Sequence, residues 1–259
     1  MENISRLMKH PHFILITLIT LIITSPLKGS SQYSDTTIIQ QDRIKFKTFL
    51  PGMIALSYGV VALGDGPLKN LDFDIAERRN NRRPTFHTSA DDYLRYVPFI
   101  ALYGYELFGI KGKHNLKDKT SLVLLTVVIS LGSTKILKTV VDKERPNGYD
   151  FKSFPSGHAA TAFTGAELIN QEYGDLSPWY SIAGYTVASA TSILRIYSND
   201  HWFSDVVAGA GVGILSTKLT YIVYPHLKNL LLNKKKELNI LAVPSYQNGA
   251  LGISISGRF

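Results

Sequence analysis

Apolar residues along this chain gather into six stretches of helical length, at 53–63, 93–108, 121–141, 158–173, 179–196 and 205–224, separated by Pro, Gly, Asn or charged residues. They are rich in Leu, Ala, Gly and Val and lack the two-residue alternation of a half-buried strand, so the pattern predicts an all-α fold, a six-helix bundle. The tail has a different rhythm. Residues 239–246 and 250–255 alternate in part around Gln247-Asn248-Gly249, and Asn-Gly is a strong hairpin signal, which predicts a short C-terminal β-hairpin laid against the bundle. Two strands cannot close a membrane barrel, which needs at least about eight.

The N-terminus is patterned for export. Arg6 and Lys9 precede an apolar run at 13–23, and the small residues Gly29, Ser30 and Ser31 follow, as in a secretory signal peptide cleaved after Ser31. A retained anchor is the alternative, because 11–27 carries no charged residue and sits near the lower spanning limit of roughly 17 residues. The expected organisation is a signal peptide at 1–31, an N-terminal extension at 32–48, a helical domain at 49–232 and a tail at 233–259. Elsewhere the charge-free stretches 120–134 and 206–217 are short for a span, and 176–194 is diluted by Ser, Thr, Tyr and Gly. A soluble or peripherally attached bundle is expected, with an integral one as the alternative.

Between the first two apolar stretches, 70–92 is polar and contains Glu77-Arg78-Arg79-Asn80-Asn81-Arg82-Arg83-Pro84. It reads as a solvated loop or short surface helix, or else as a basic lip for anionic lipid or substrate. Lys234-Lys235-Lys236 carries the same two readings, and a cation run there also suits the carboxyl end of a helix.

Charge narrows the partners. The 259 residues carry 28 Lys and Arg against 20 Asp and Glu, and losing three cations and one anion with residues 1–31 changes +8 to +6. A basic surface suits an anionic partner. No aromatic interleaving of a nucleic-acid module is present, so the expected partners are a phosphorylated lipid or small phosphate ester, with a membrane surface beside it and no nucleic acid. The absence of cysteine fits an exported protein without disulfides and many cytoplasmic ones equally.

Three clusters carry the chemistry. Lys138 and Arg145, seven apart, are nearly two helical turns apart, and Pro146 stops the helix. A guanidinium fork and a compact ammonium suit phosphate oxygens, although a lone pair of this kind is usually solvated at a helix end. In Pro155-Ser156-Gly157-His158, Ser156 is a natural N-cap, Gly157 admits a ligand to the backbone, and His158 sits where it could protonate a leaving oxygen. His201 and Asp205, four apart, can share one face, the carboxylate holding one imidazole nitrogen and leaving the other to attack, with Arg195 in reach. A metal at His201 and Asp205 ranks lower, because Lys138, Arg145 and Arg195 would repel a divalent ion. Asp91, Asp92 and Glu167 read as candidates for buried polar pairing, 147–150 as a turn, and Tyr93, Tyr96, Tyr103 and Tyr105 as core. The remaining histidines read as structural or solvated.

Taken in order, Lys-x6-Arg-Pro, Pro-Ser-Gly-His and Arg-x5-His-x3-Asp resemble the signature of the type 2 phosphatidic acid phosphatase and vanadium haloperoxidase superfamily, in its bacterial exported phosphatase branch. The motifs span Lys138 to Asp205, and the helix order over 49–224 is similar to that family's six-helix core. The resemblance implies that His201 is the nucleophile forming a phosphohistidine, Asp205 orients it, and His158 acts as general acid and then base. It also implies that Lys138, Arg145, Ser156, Gly157 and Arg195 bind phosphate, with no cofactor or metal and with vanadate as an inhibitor. One position departs: the family usually has a supporting Ser where Leu194 stands.

The function so implied is a metal-independent phosphatase of the periplasm or the periplasmic face of a membrane. Its expected substrate is a phosphomonoester or diphosphate of a membrane lipid: an isoprenoid diphosphate, lipid A or a phosphatidyl phosphate. A broad acid phosphatase on soluble esters is the near alternative. A vanadate-dependent haloperoxidase is disfavoured by the compact size, and a non-catalytic anionic-lipid-binding protein by the presence of a nucleophile with its orienting acid.

Overall fold

The computed structural model describes residues 46–236, 239–247 and 250–258. The expected signal peptide at 1–31, most of the extension and the Asn248-Gly249 turn lie outside them, as do the side chains of Lys234, Lys235 and Lys236. After a 3-10 turn at Phe46–Phe49 come α1 (Leu50–Val61), α2 (Pro67–Arg82), α3 (Ala90–Leu94), α4 (Val97–Leu107), α5 (Leu116–Val141), α6 (Gly157–Tyr173), α7 (Pro178–Tyr197) and α8 (Phe203–Lys236), then β1 (Asn239–Gln247) and β2 (Ala250–Arg258). The chain divides into two compact units after Lys218.

In the first unit α6 is the central helix. It packs against α4, α5 and α7, and Ala159, Ala160, Ala162, Thr164, Ala166, Leu168, Ile169 and Tyr173 are all buried on it. Small side chains let neighbours come close. Cβ atoms added at Gly209 and Gly213 of α8 would lie 2.5 Å from the carbonyl oxygens of Ser156 and Ala160 on α6, and one at Gly211 would lie 2.5 Å from the Leu56 nitrogen on α1. The glycines thus let one helix fit tightly against two others. In the second unit β1 and β2 pair antiparallel, with Gln247 opposite Ala250.

Eight α-helices stand among the described residues where six were expected. The added one is α2, which lies largely in the polar segment read as a solvated loop or short surface helix. Its inward positions are ionic: Asp72 and Arg79 are buried, and Arg79 donates to the carbonyls of Tyr197 and Phe86 at 2.7 and 2.8 Å. A count of apolar spacing passes over a helix that docks through satisfied charges. The expected helix over 93–108 is broken into α3 and α4, with Pro98 in the first turn of α4, where its missing N–H costs nothing. Tyr93 and Tyr96 flank that break and are exposed, not core.

Helix α5 also runs longer than its charge-free stretch. Asn115 caps it by accepting from the Asp118 N–H at 3.0 Å, and it ends only at left-handed Asp142, φ 46°. Among the described residues two segments, Leu116–Val141 and Phe203–Leu230, are long and apolar enough to cross a membrane, with 22% and 61% of their apolar windows buried. The first is therefore mostly uncovered, and Leu124, Val128, Leu131 and Ile136 are each exposed along it. An apolar face of this length is out of place in water, and the chain has membrane-associated character.

Candidate active site

The site lies where the carboxyl end of α5, the segment 142–156, the start of α6 and the α7–α8 junction meet. The segment is tied at intervals. The Ser153 N–H donates to the Lys143 carbonyl at 2.9 Å, and the Ser156 N–H donates to the Asp205 carbonyl at 2.9 Å. Phe154, fully buried, packs with Val60 of α1 and Ala208 of α8. Pro155-Ser156-Gly157-His158 is thereby held against the start of α8.

Ser156 is buried and its hydroxyl caps Ala159 at 3.5 Å. The first N–H groups of α6, on Gly157 and His158, have no carbonyl within the helix to bond, and the positive end of the helix dipole lies there. That is an anion-binding feature.

Three cations surround it. Lys138, in the last turn of α5, donates to the carbonyls of Lys152 and Ser153. Arg145 is fixed by Nε donating to Asp150 Oδ1 at 2.7 Å and Nη1 to the Asp200 carbonyl at 3.1 Å. Arg195 pairs through Nη1 with Asp91 Oδ2 at 2.6 Å and Asp200 Oδ2 at 3.0 Å, while its buried Nε–H has no hydrogen-bond partner among the described residues. Two carboxylates thus hold Arg195, with Leu194 beside it in sequence.

The two histidines present different faces. His201 is buried; its Nε2 lies 3.5 Å from Arg145 Nη1, so that nitrogen points among the cations. Its Nδ1 lies 3.4 Å from Ser153 Oγ and 3.7 Å from Asp205 Oδ2. The carboxylate expected to hold the ring directly is thus beyond hydrogen-bond range, and the Ser153 hydroxyl reaches both, at 2.5 Å from Asp205 Oδ2. Burial lowers the His201 pKa to about 4, against the opposing pull of Asp205. His158 Nε2 meets Asp92 Oδ1 at 2.7 Å. Burial lowers its pKa too; Asp92 opposes that, while the Arg195 and Arg95 charges add to it.

Lys138, Arg145, Ser156, His158, Arg195, His201 and Asp205, chosen from spacing, therefore fall within one connected polar network, and Gly157 adjoins it as the first residue of α6. Reading the sequence missed their supports. Asp150 lies in the segment read as a bare turn. Lys143, between the two motif cations, reaches Asp205 Oδ1 at 3.0 Å, Ser204 Oγ at 3.0 Å and Asp72 Oδ2 at 3.2 Å. Asp91 and Asp92 were flagged only as polar pairs. Asp91, Asp92 and His158 offer ligand atoms within 4.8 Å of one another, yet Arg195 already holds Asp91 and would compete with a metal ion there.

Comparison with known proteins finds relatives over the part of the chain that holds this network. Residues 119–228 match the PAP2 superfamily. All three clusters fall inside the matched residues. A lipid A 1-phosphatase of Porphyromonas gingivalis is 41% identical over 180 residues, 65% of this chain and 39% of that protein. A lipid A 1-phosphatase of Rhizobium etli is 32% identical over 116 residues, 38% of this chain and 47% of that one. The match thus spans less than half the length of either curated relative.

Two solved structures are similar to part of this chain. Aquifex aeolicus LpxE, 23% identical, gives a TM-score of 0.44 over 57% of this chain and 93% of that one. The first transmembrane PAP2 type phosphatidylglycerolphosphate phosphatase from Bacillus subtilis, 17% identical, gives 0.49 over 71% and 98%.

Proposed function

We propose that this protein is a metal-independent phosphatase that removes phosphate from a membrane glycolipid of the lipid A kind through a phosphohistidine on His201. The observation that carries the reading is the orientation of His201: Nε2 faces Arg145 while Nδ1 is occupied behind it by Ser153. A buried imidazole kept neutral, with one nitrogen aimed among three cations, is equipped to attack phosphorus. The lipid A 1-phosphatases with which it shares 41% and 32% identity support the substrate class, and the uncovered face of α5 supports a substrate met at a membrane.

In this reading Lys138, Arg145, Arg195 and the amides at the start of α6 hold the phosphoryl oxygens and offset charge as the transition state forms. His201 Nε2 forms the new bond to phosphorus as the glycosyl oxygen departs. His158 gives that oxygen its proton, then takes one from the water that cleaves the phosphorus–nitrogen bond, releasing phosphate and restoring both histidines. Residues 49–232 form the catalytic domain, placed by the export segment at 1–31 on the periplasmic face of the membrane.

The test is phosphate release by the detergent-purified chain in excess EDTA, from lipid A, a phosphatidyl phosphate, an isoprenoid diphosphate and a soluble aryl phosphate. Preference for lipid A, undiminished by the chelator and abolished in His201→Ala, supports the reading. Release that needs an added metal, or that survives the substitution, refutes it.

A further inference from the structure

We propose that Ser153 is a positioning residue that links Asp205 to His201, so that Asp205 orients the imidazole through the serine hydroxyl and not by direct contact. The inference deepens the function proposed above and rests on His201 being the nucleophile.

Hydrogen counting fixes the direction of the link. A carboxylate only accepts, and a serine hydroxyl has one hydrogen to give. At 2.5 Å from Asp205 Oδ2, Ser153 Oγ donates that hydrogen to the carboxylate. Its oxygen is then an acceptor toward His201 Nδ1, 3.4 Å away. Nδ1 must therefore carry the ring proton, and Nε2, beside Arg145, keeps the lone pair. The direct separation of Nδ1 from Asp205 Oδ2, 3.7 Å, is too long for a hydrogen bond to set the tautomer.

Each part of the link is held on its far side. Asp205 Oδ1 receives Lys143 Nζ at 3.0 Å, and Oδ2 also receives the Trp202 N–H at 3.0 Å. Lys143 is shared with Asp72, which in turn takes the Ser204 N–H at 2.8 Å. Ser153 itself is fully buried, and its backbone is pinned by the Lys143 carbonyl on one side and Lys138 Nζ on the other. Because Lys143 and Trp202 retain their grip on Asp205, removing the hydroxyl should free the imidazole without releasing the carboxylate.

The experiment compares wild type, Ser153→Ala, Asp205→Asn, the double variant and His201→Ala. Ser153→Ala should lower kcat by about 10- to 100-fold, the scale of a misoriented reacting group, while KM and inhibition by inorganic vanadate change by less than about twofold. The double variant should be no slower than Asp205→Asn alone, because both residues act through one link. Multiplying losses, or a Ser153→Ala enzyme with wild-type kcat, would overturn the inference.

A readout that needs no variant comes from 15N NMR of the labelled full chain: the His201 tautomer should be Nδ1–H at neutral pH, and an Nε2–H tautomer would overturn the inference. Failure of the underlying function looks different, since His201→Ala would then keep turnover.

Discussion

The fit of α8 against the amino-terminal end of α6, the proposed phosphate site, can be tested by adding one methyl group. In Gly209→Ala the new Cβ would sit 2.5 Å from the Ser156 carbonyl oxygen, 3.0 Å from Ala159 Cβ and 3.2 Å from the Ala160 nitrogen. The Ser156 oxygen cannot simply swing aside, because it accepts the Ala160 N–H at 3.0 Å in the first turn of α6. Nor can the chain retreat freely, since the Ser156 N–H is bonded to the Asp205 carbonyl. The helices must separate by a few tenths of an ångström or more at the point where the anion-binding turn meets the His201–Asp205 segment. Overpacking of this kind costs about 1–3 kcal/mol, and the gain from replacing a helical glycine by alanine, about 1 kcal/mol, offsets only part of it.

Gly132→Ala is the control. Apart from its own stretch of helix, no heavy atom of the described residues lies within 4 Å of its added Cβ, so it should be neutral or slightly stabilising. Thermal unfolding in one detergent, with kcat measured alongside, should show Gly209→Ala less stable than Gly132→Ala and slower by up to about 100-fold, as expected when a phosphate cradle shifts by about an ångström. Equal melting and equal turnover in the two variants would refute the packing argument.

The histidines set a pH window. Activity in kcat/KM should fall as pH drops through about 4, where His201 takes up a proton, and should fall again as pH rises past a point below the usual histidine value, where His158 loses the proton it donates. A rate profile over pH 3 to 9 should thus peak on the acid side, and an alkaline optimum would contradict it. Asp92→Asn removes the carboxylate that opposes the lowering of His158, so the basic limb should move to lower pH; an unmoved limb would show that the contact does not tune this group. Removing the buried Glu167 carboxylate strands Lys218, its partner at 2.7 Å, and should destabilise the fold by about 3–5 kcal/mol. Glu167→Leu combined with Lys218→Leu should melt above Glu167→Leu alone.

The anion site was readable in the sequence because its residues sit at fixed local offsets: seven between Lys138 and Arg145, four between His201 and Asp205, one helix start at Ser156. What could not be read was supplied from far along the chain. Asp72 reaches Ser204 across 132 positions, Asp91 reaches Arg195 across 104, and Asp92 reaches His158 across 66. No spacing rule announces such partners. The docking of α2 was hidden for the same reason, since its docking residues are charges whose partners lie on other elements. Counting uncharged residues also undervalued α5, where Lys135 and Lys138 fall near the end of a continuous helix and shorten the apolar run without shortening the helix. At Leu194, where the sequence departs from the motif, the neighbouring Arg195 is held by Asp91 and Asp200.

The claim that His201 is the nucleophile is tested most directly by trapping. The full chain, mixed with 32P-labelled lipid A and quenched in alkali within milliseconds, should carry label that is stable to base, labile to acid and located on His201 by peptide mapping, with none in His201→Ala. Turnover with no labelled protein at any quench time, or label on another residue, would contradict the account.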